Sequence, residues 1–125
     1  MEVDLLEKEY EIPKESESQL YRDFLKNLDD KNMQHVINNL IRDIESSNSY
    51  EVKKNALNLL ATIKDAKVKN LFSKLIMDKD WLIRYHLIKA LGKTRNLEYK
   101  DILIKLSKDR DVDVREAAID ALSKL

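Results

Sequence analysis

The sequence predicts an all-α fold built as a row of helical hairpins, and three observations carry that prediction. One Gly and one Pro among 125 residues leave almost no punctuation for β-hairpins, while Leu, Ile, Lys, Glu and Ala dominate. Apolar residues recur at i, i+3, i+4 and i+7, a helical stripe rather than a strand's alternation. The chain also echoes itself: Lys53, Arg84 and Arg115 stand 31 residues apart, and their neighbours keep step.

Taken from the N-terminus, residues 1–17 hold seven acids against Lys8 and Lys14, together with Pro13. This stretch reads as a flexible acidic extension. A repeat domain is expected over 18–125. Its first element is a capping helix over 18–31, where Leu20, Tyr21, Phe24, Leu25 and Leu28 form a stripe after a Ser16 or Ser18 cap. Three hairpins follow, over 32–63, 64–95 and 96–125. Their first helices align Ile37, Val68 and Tyr99; Leu40, Leu71 and Ile102; Ile41, Phe72 and Leu103; and Ile44, Leu75 and Leu106.

The second helices align Val52, Ile83 and Val114; Ala56, Leu87 and Ala118; Leu59, Ala90 and Ala121; and Leu60, Leu91 and Leu122. Ser49, Asp80 and Asp111 precede them at one phase, each with a side chain able to accept a hydrogen bond from the free amides of a helix start. The polar links "SSNS", "DKD" and "DRD" join the two helices of a unit. Ordering about 31 residues costs on the order of 45 kcal/mol, more than two short stripes can offset, so one hairpin cannot stand alone and stacking is required.

The phrases "DKDWLIRYHLIKALGK" and "DVDVREAAIDALSKL" resemble the HEAT repeat. Their short period, and the pattern Asp, two residues, Val or Ile, Arg, two residues, Ala, two residues, Ala-Leu, are similar to the branch named after the phycobilisome lyases. The resemblance covers about 94 residues and is strongest in the second and third units. The first departs from it, with Lys53 for Arg and Ser49 for Asp. It implies a right-handed α-α superhelix of antiparallel helix pairs serving as a scaffold for other macromolecules. It also implies that the repeated Lys53, Arg84 and Arg115 tie neighbouring caps or carbonyls together between units, while alanines let helices approach closely.

Composition narrows the chemistry. The absence of cysteine removes disulfides, a thiolate nucleophile and Cys-ligated metal, and fits a reducing, cytoplasmic location. "MEVDLLEKEYEI" is acidic where a signal peptide is basic, and no apolar run approaches the roughly 18 residues of a membrane span. Among HEAT-like enzymes, deoxyhypusine hydroxylases carry paired His-Glu motifs for two irons. His35 and His86 are the only histidines here, and neither precedes Glu. HEAT-like glycosylases use aromatic residues and an aspartate in a basic groove, but Trp81 shares its phase with apolar Tyr50 and Val112, so it is expected in the core. No Gly-flanked serine turn or Gly-rich phosphate loop exists, and Gly92 is expected to help end its helix. The expectation is a non-enzyme without cofactor or metal.

The repeat also supplies its own control, since a residue can be judged against its equivalents. Glu51, Leu82 and Asp113; Lys54, Tyr85 and Glu116; Asn55, His86 and Ala117; and Asn58, Lys89 and Asp120 occupy the solvent-side phases of the second helices. The outer units are polar or small there. The middle one offers Leu82, Tyr85, His86 and Lys89 on one continuous face. With Lys54, Asn58 and Lys93, this face is the expected binding surface for another protein.

Three further expectations follow. The acidic extension could lie over this face. The alanines, Leu122 and Leu125 of the last helix, with Ile104, could make the C-terminal end sticky enough to self-associate or belong to a larger protein. Nucleic acid is the alternative partner, since 18–125 carries net +5, but the basic residues are scattered.

Overall fold

The computed structural model describes residues 23–125. The expected extension over 1–17, and the start of the expected capping helix, lie outside the described residues. Among the described residues there is no strand. A short helical stretch over 23–26 leads into α1 (Asp30–Ser46), α2 (Tyr50–Leu60), α3 (Ala66–Leu75), α4 (Trp81–Thr94), a 3₁₀ turn (Leu97–Tyr99) continuing into α5 (Lys100–Leu106), and α6 (Val112–Ser123). Three hairpins, α1–α2, α3–α4 and α5–α6, make the row. The chain is an α-solenoid.

The capping helix expected over 18–31 ends earlier than that range. Asp29 turns extended (φ −71°, ψ 169°) and its carboxylate accepts the Asn32 N–H at 2.8 Å, so a new helix starts at Asp30. Leu25 is buried and Leu28 half-buried against the core, whereas Phe24 is exposed.

The caps at the starts of the second helices repeat in atomic detail. Ser49, Asp80 and Asp111 are all extended, and each accepts an amide of the first turn with its side chain. Two residues earlier stands another acceptor in each unit. Ser47 Oγ, the Asp78 carboxylate and the Asp109 carboxylate accept the Ser49, Asp80 and Asp111 N–H groups at 3.0, 2.9 and 2.9 Å. The links between helices are therefore rigid turns.

The stripes meet in one continuous core. Ile37, Val68 and Tyr99 are buried, as are Ile44, Leu75 and Leu106, and Ala56, Leu87 and Ala118. A phase that hydrophobic patterning left unassigned completes it. Leu57 and Ile88 are 0% exposed, while their equivalent Ile119 is 57% exposed. A side chain buried only where another hairpin follows is one that packs on its neighbour. The row of second helices is in closer contact (α2 on α4, α4 on α6) than the row of first helices, which makes it the inner side of a curving stack.

Polar ties also cross between units. The Gln34 side-chain amide donates to Asp65, the cap of α3, at 2.9 Å, and Lys67 Nζ donates back to Gln34 Oε1 at 2.7 Å. The buried Tyr99 hydroxyl donates to the Ala61 carbonyl at 3.2 Å, with its ring edge-on to Phe72. Lys69 and Glu98 approach to 3.7 Å on the exposed side, a contact of little energetic weight.

Three expectations are corrected. Trp81 is not in the core: with Tyr50 and Val112 it opens its helix on the outside, 42% exposed, its ring edge-on to Tyr85. Gly92 does not end its helix, because α4 runs on to Thr94 and the left-handed residue closing it is Arg95 (φ 50°). Gly92 instead allows close approach of α4 and α6, since a Cβ there would lie 3.3 Å from Ala121 Cβ. Finally, Ala118 and Ala121 of α6 are buried and Ala117, Leu122 and Leu125 half-buried, so the exposed large apolar residues of the last hairpin are Leu97, Ile104, Val112 and Ile119. Glycine adopts the left-handed region without the clash that a Cβ brings, so Arg95→Gly is expected to raise stability by about 1 kcal/mol, read as a higher urea midpoint.

Candidate binding groove and the arginine ladder

On the inner row, residues of α2, α4 and α6 together line a cavity of about 580 Å³. Six of the seven residues picked out by comparing repeat phases line it together: Lys54 and Asn58 from α2, and Tyr85, His86, Lys89 and Lys93 from α4. Leu82, the seventh, lies off the cavity, half-buried, one turn nearer the helix start. Ile88, Gly92, Ala117 and Ala121 supply apolar lining, and Arg95, Asp120 and Lys124 complete it. Arg95 and Lys124 were missed by sequence reasoning. The signal for Lys124 was present, since it is the 31-residue equivalent of Lys93; Arg95 had none, because its position follows from where α4 terminates.

The electrostatics of the groove are one-sided. Lys54, Lys89, Lys93, Arg95 and Lys124 line it with one carboxylate, Asp120, which pairs with Lys124 at 3.1 Å, while Lys54 approaches Glu51 outside the cavity at 4.0 Å. Lys89 Nζ sits 5.6 Å from the centre of the Tyr85 ring, within cation–π range. Burial, and next the Lys54 ammonium, hold the His86 imidazole below its ordinary 6.5, with Glu51 and Asp80 opposing. His86 therefore contributes a neutral ring at pH 7. Its neighbours Tyr85 and Tyr50 lie at ring-centre separations of 5.9 and 6.5 Å. The Tyr50 hydroxyl donates to Asp80, joining α2 to the cap of α4.

Behind the caps runs a second polar array. Arg84 is 2% exposed, the only buried charged residue among those described. Its Nε and Nη2 donate to the Asp109 carboxylate at 2.8 and 3.0 Å, while Nη1 donates to the Asp78 carbonyl at 2.6 Å. The guanidinium thus bonds its own inter-helix link and that of the next unit at once. Arg115 repeats the first half of this, with Nη1 on the Asp109 carbonyl at 2.8 Å. Lys53, at the same phase of the first unit, is half-buried and near Asp80. The acid gripped by Arg84 is therefore the residue two before the helix cap, and not the cap Asp111. No buried side-chain polar atom among the described residues lacks a partner.

A fold of repeated hairpins, with a buried arginine bridging one acidic link to the next, agrees with what the family comparison finds: the family model for HEAT repeats matches residues 37–123. The chain belongs to the HEAT repeat family. The match spans all three hairpins of the HEAT stack and is to HEAT repeats in general. No curated protein matches the chain. HEAT repeats generally mediate protein–protein interaction, and the family is generally non-catalytic. Among the described residues, no helix is long and apolar enough to cross a membrane and no cluster of three or more His, Asp or Glu side chains is placed to hold a metal ion.

Proposed function

We propose that this HEAT repeat protein is a non-catalytic adaptor that binds another protein on its inner, second-helix face, at the groove between α4 and α6. The observation that carries the reading is the convergence of Lys54, Asn58, Tyr85, His86, Lys89 and Lys93 on one cavity. Tyr85, His86 and Lys89 of the middle unit stand where the outer units carry Lys54 and Glu116, Asn55 and Ala117, and Asn58 and Asp120, which is a departure that stacking alone does not require. Partly exposed tyrosines beside cations are the residue types that anchor protein interfaces. Nucleic acid fits less well, because the cations ring a single cavity and do not form the continuous track that a phosphate backbone follows. Self-association through the last hairpin, where Ile104 and Ile119 are exposed, and a cytoplasmic setting, which suits a chain without cysteine, belong to the same reading.

Photo-crosslinking from within the groove tests it. With p-benzoylphenylalanine replacing Lys89, irradiation in the source cell is expected to yield a discrete protein adduct that is absent when the probe replaces Lys105, on α5. Adducts to nucleic acid alone, or equal adducts from both positions, would contradict the assignment.

A further inference from the structure

Independently of the groove, we infer that the outward face of the third hairpin is a docking surface for a helical hairpin of a partner protein, one that carries a carboxylate in the link between its two helices. The surface is marked by side chains that are buried wherever another hairpin is stacked on them. Leu57 and Ile88 are fully buried, and their equivalent Ile119 is 57% exposed. Leu60 and Leu91 are fully buried, and Leu122 is half-buried; Leu40 and Leu71 are buried, and Ile102 is half-buried. Ile104 and Val112 lie elsewhere, because their equivalents Arg42 and Ser73, and Tyr50 and Trp81, are exposed in every unit. Ile102 stands on α5, and Ile119 and Leu122 stand on α6. The surface therefore spans both helices of the hairpin and calls for a two-helix occupant, as at the two stacked interfaces that precede it.

Arg115 supplies the chemistry that the occupant must match. Arg84 gives Nη1 to the carbonyl of its own link, Asp78, and gives Nε and Nη2 to the carboxylate of Asp109 in the hairpin stacked on it. Arg115 makes the first of these bonds, to the Asp109 carbonyl at 2.8 Å, and no carboxylate bond among the described residues. It is half-buried, where Arg84 is 2% exposed. Its guanidinium is thus anchored by its own link with the other donors left for a partner. A carboxylate two residues before the cap of a second helix would meet that fork as Asp109 meets Arg84. A second copy of this chain offers no such group: head to tail it brings Ser47 to the position, and tail to tail it brings another Arg115. Self-association through this end covers apolar surface only, so the acidic hairpin is the better-matched occupant.

Because one hairpin cannot stand alone, the probe is tethered: the full chain with residues 95–125 repeated once after Leu125, which keeps the repeat in phase and brings a second Asp109 link to Arg115. Urea unfolding is expected to show one transition, at a higher midpoint than that of the unextended chain. Ile119→Ala, nearly silent in the unextended chain, should lower the extended chain's midpoint about as far as Ile88→Ala does. Arg115→Ala should shift the midpoint severalfold further in the extended chain than in the unextended one, and the difference should vanish when the appended counterpart of Asp109 is replaced by Asn.

Separate melting of the appended hairpin at lower urea, an Ile119→Ala that stays silent, or an Arg115→Ala loss that is the same with and without the appended hairpin overturns the inference. So does a dimer of the unextended chain, seen by sedimentation, that Ile119→Asp dissolves and Arg115→Gln leaves intact, since the face would then belong to a second copy. None of these outcomes bears on photo-crosslinking from position 89, and failure there leaves this surface untouched.

Discussion

Arg84→Ala is expected to destabilise the fold by about 3–5 kcal/mol, a large fraction of the 5–15 kcal/mol that typically holds a domain together. The reason is what the change leaves behind. Asp109 would remain a carboxylate with a side chain 8% exposed and its bidentate partner gone, and the Asp78 carbonyl would lose its donor. A buried charge without its partner is costlier than the pair is favourable, so the loss exceeds what the intact contact contributes. Arg84→Lys retains the charge but not the fork of donors and should recover only part of the loss. Urea denaturation measures all of these. Lysine stands at the equivalent position in the first unit, where no bidentate pair forms, so Lys53→Ala should cost far less.

The same pair makes stability depend on acid. Burial alone would raise the Asp109 carboxyl, but the Arg84 guanidinium, the Asp111 amide and Arg110 together hold it below its ordinary 3.8. A carboxyl depressed in the folded state contributes stability that is complete above the unfolded value and lost as pH falls through the folded one. The Arg84–Asp109 contribution is thus full at neutral pH and declines below about pH 4. In Asp109→Asn that part of the acid dependence should disappear.

Most of this architecture could be read from residue spacing, and the places where reading failed have a common cause. Periodicity identifies which side of a helix is apolar, so the stripes through Ile37, Leu40 and Ile44, and through Ile83, Leu87 and Leu91, were legible together with the caps at Ser49, Asp80 and Asp111. Periodicity does not say which apolar side chain faces its own hairpin and which faces the next. Leu57, Ile88 and Ile119 were therefore overlooked, although all three share one phase. Trp81 was misjudged because apolar character at a helix's first residue says little: it lies off the stripe that buries Ile83 and Leu87, and its ring finds Tyr85 and solvent instead.

Gly92 was read as a stop because glycine ends many helices, whereas here the absent Cβ serves contact with Ala121. The groove was legible where it rests on departures between repeats, as with Tyr85, His86 and Lys89. It was illegible where the end of α4 brings Arg95 to the rim, whereas Lys124, the equivalent of Lys93, was legible and overlooked.

The overlooked phase gives the second prediction of large effect. Leu57→Ala and Ile88→Ala should each cost about 2–5 kcal/mol, because each truncates a fully buried side chain between hairpins that pack too tightly to collapse into the space. Ile119→Ala removes the same atoms at the same point of the repeat, yet it should stay within about 0.5 kcal/mol, since that side chain is 57% exposed. Composition, helix propensity and local sequence position are nearly matched among the three, so the difference isolates the cover that one hairpin lends another. Equilibrium urea unfolding of Ile88→Ala beside Ile119→Ala is the most direct measurement of stacking. The account predicts a large drop for the first and almost none for the second. Equal losses at the two positions would mean that each hairpin completes its own core, and the stacked repeat as described would be wrong.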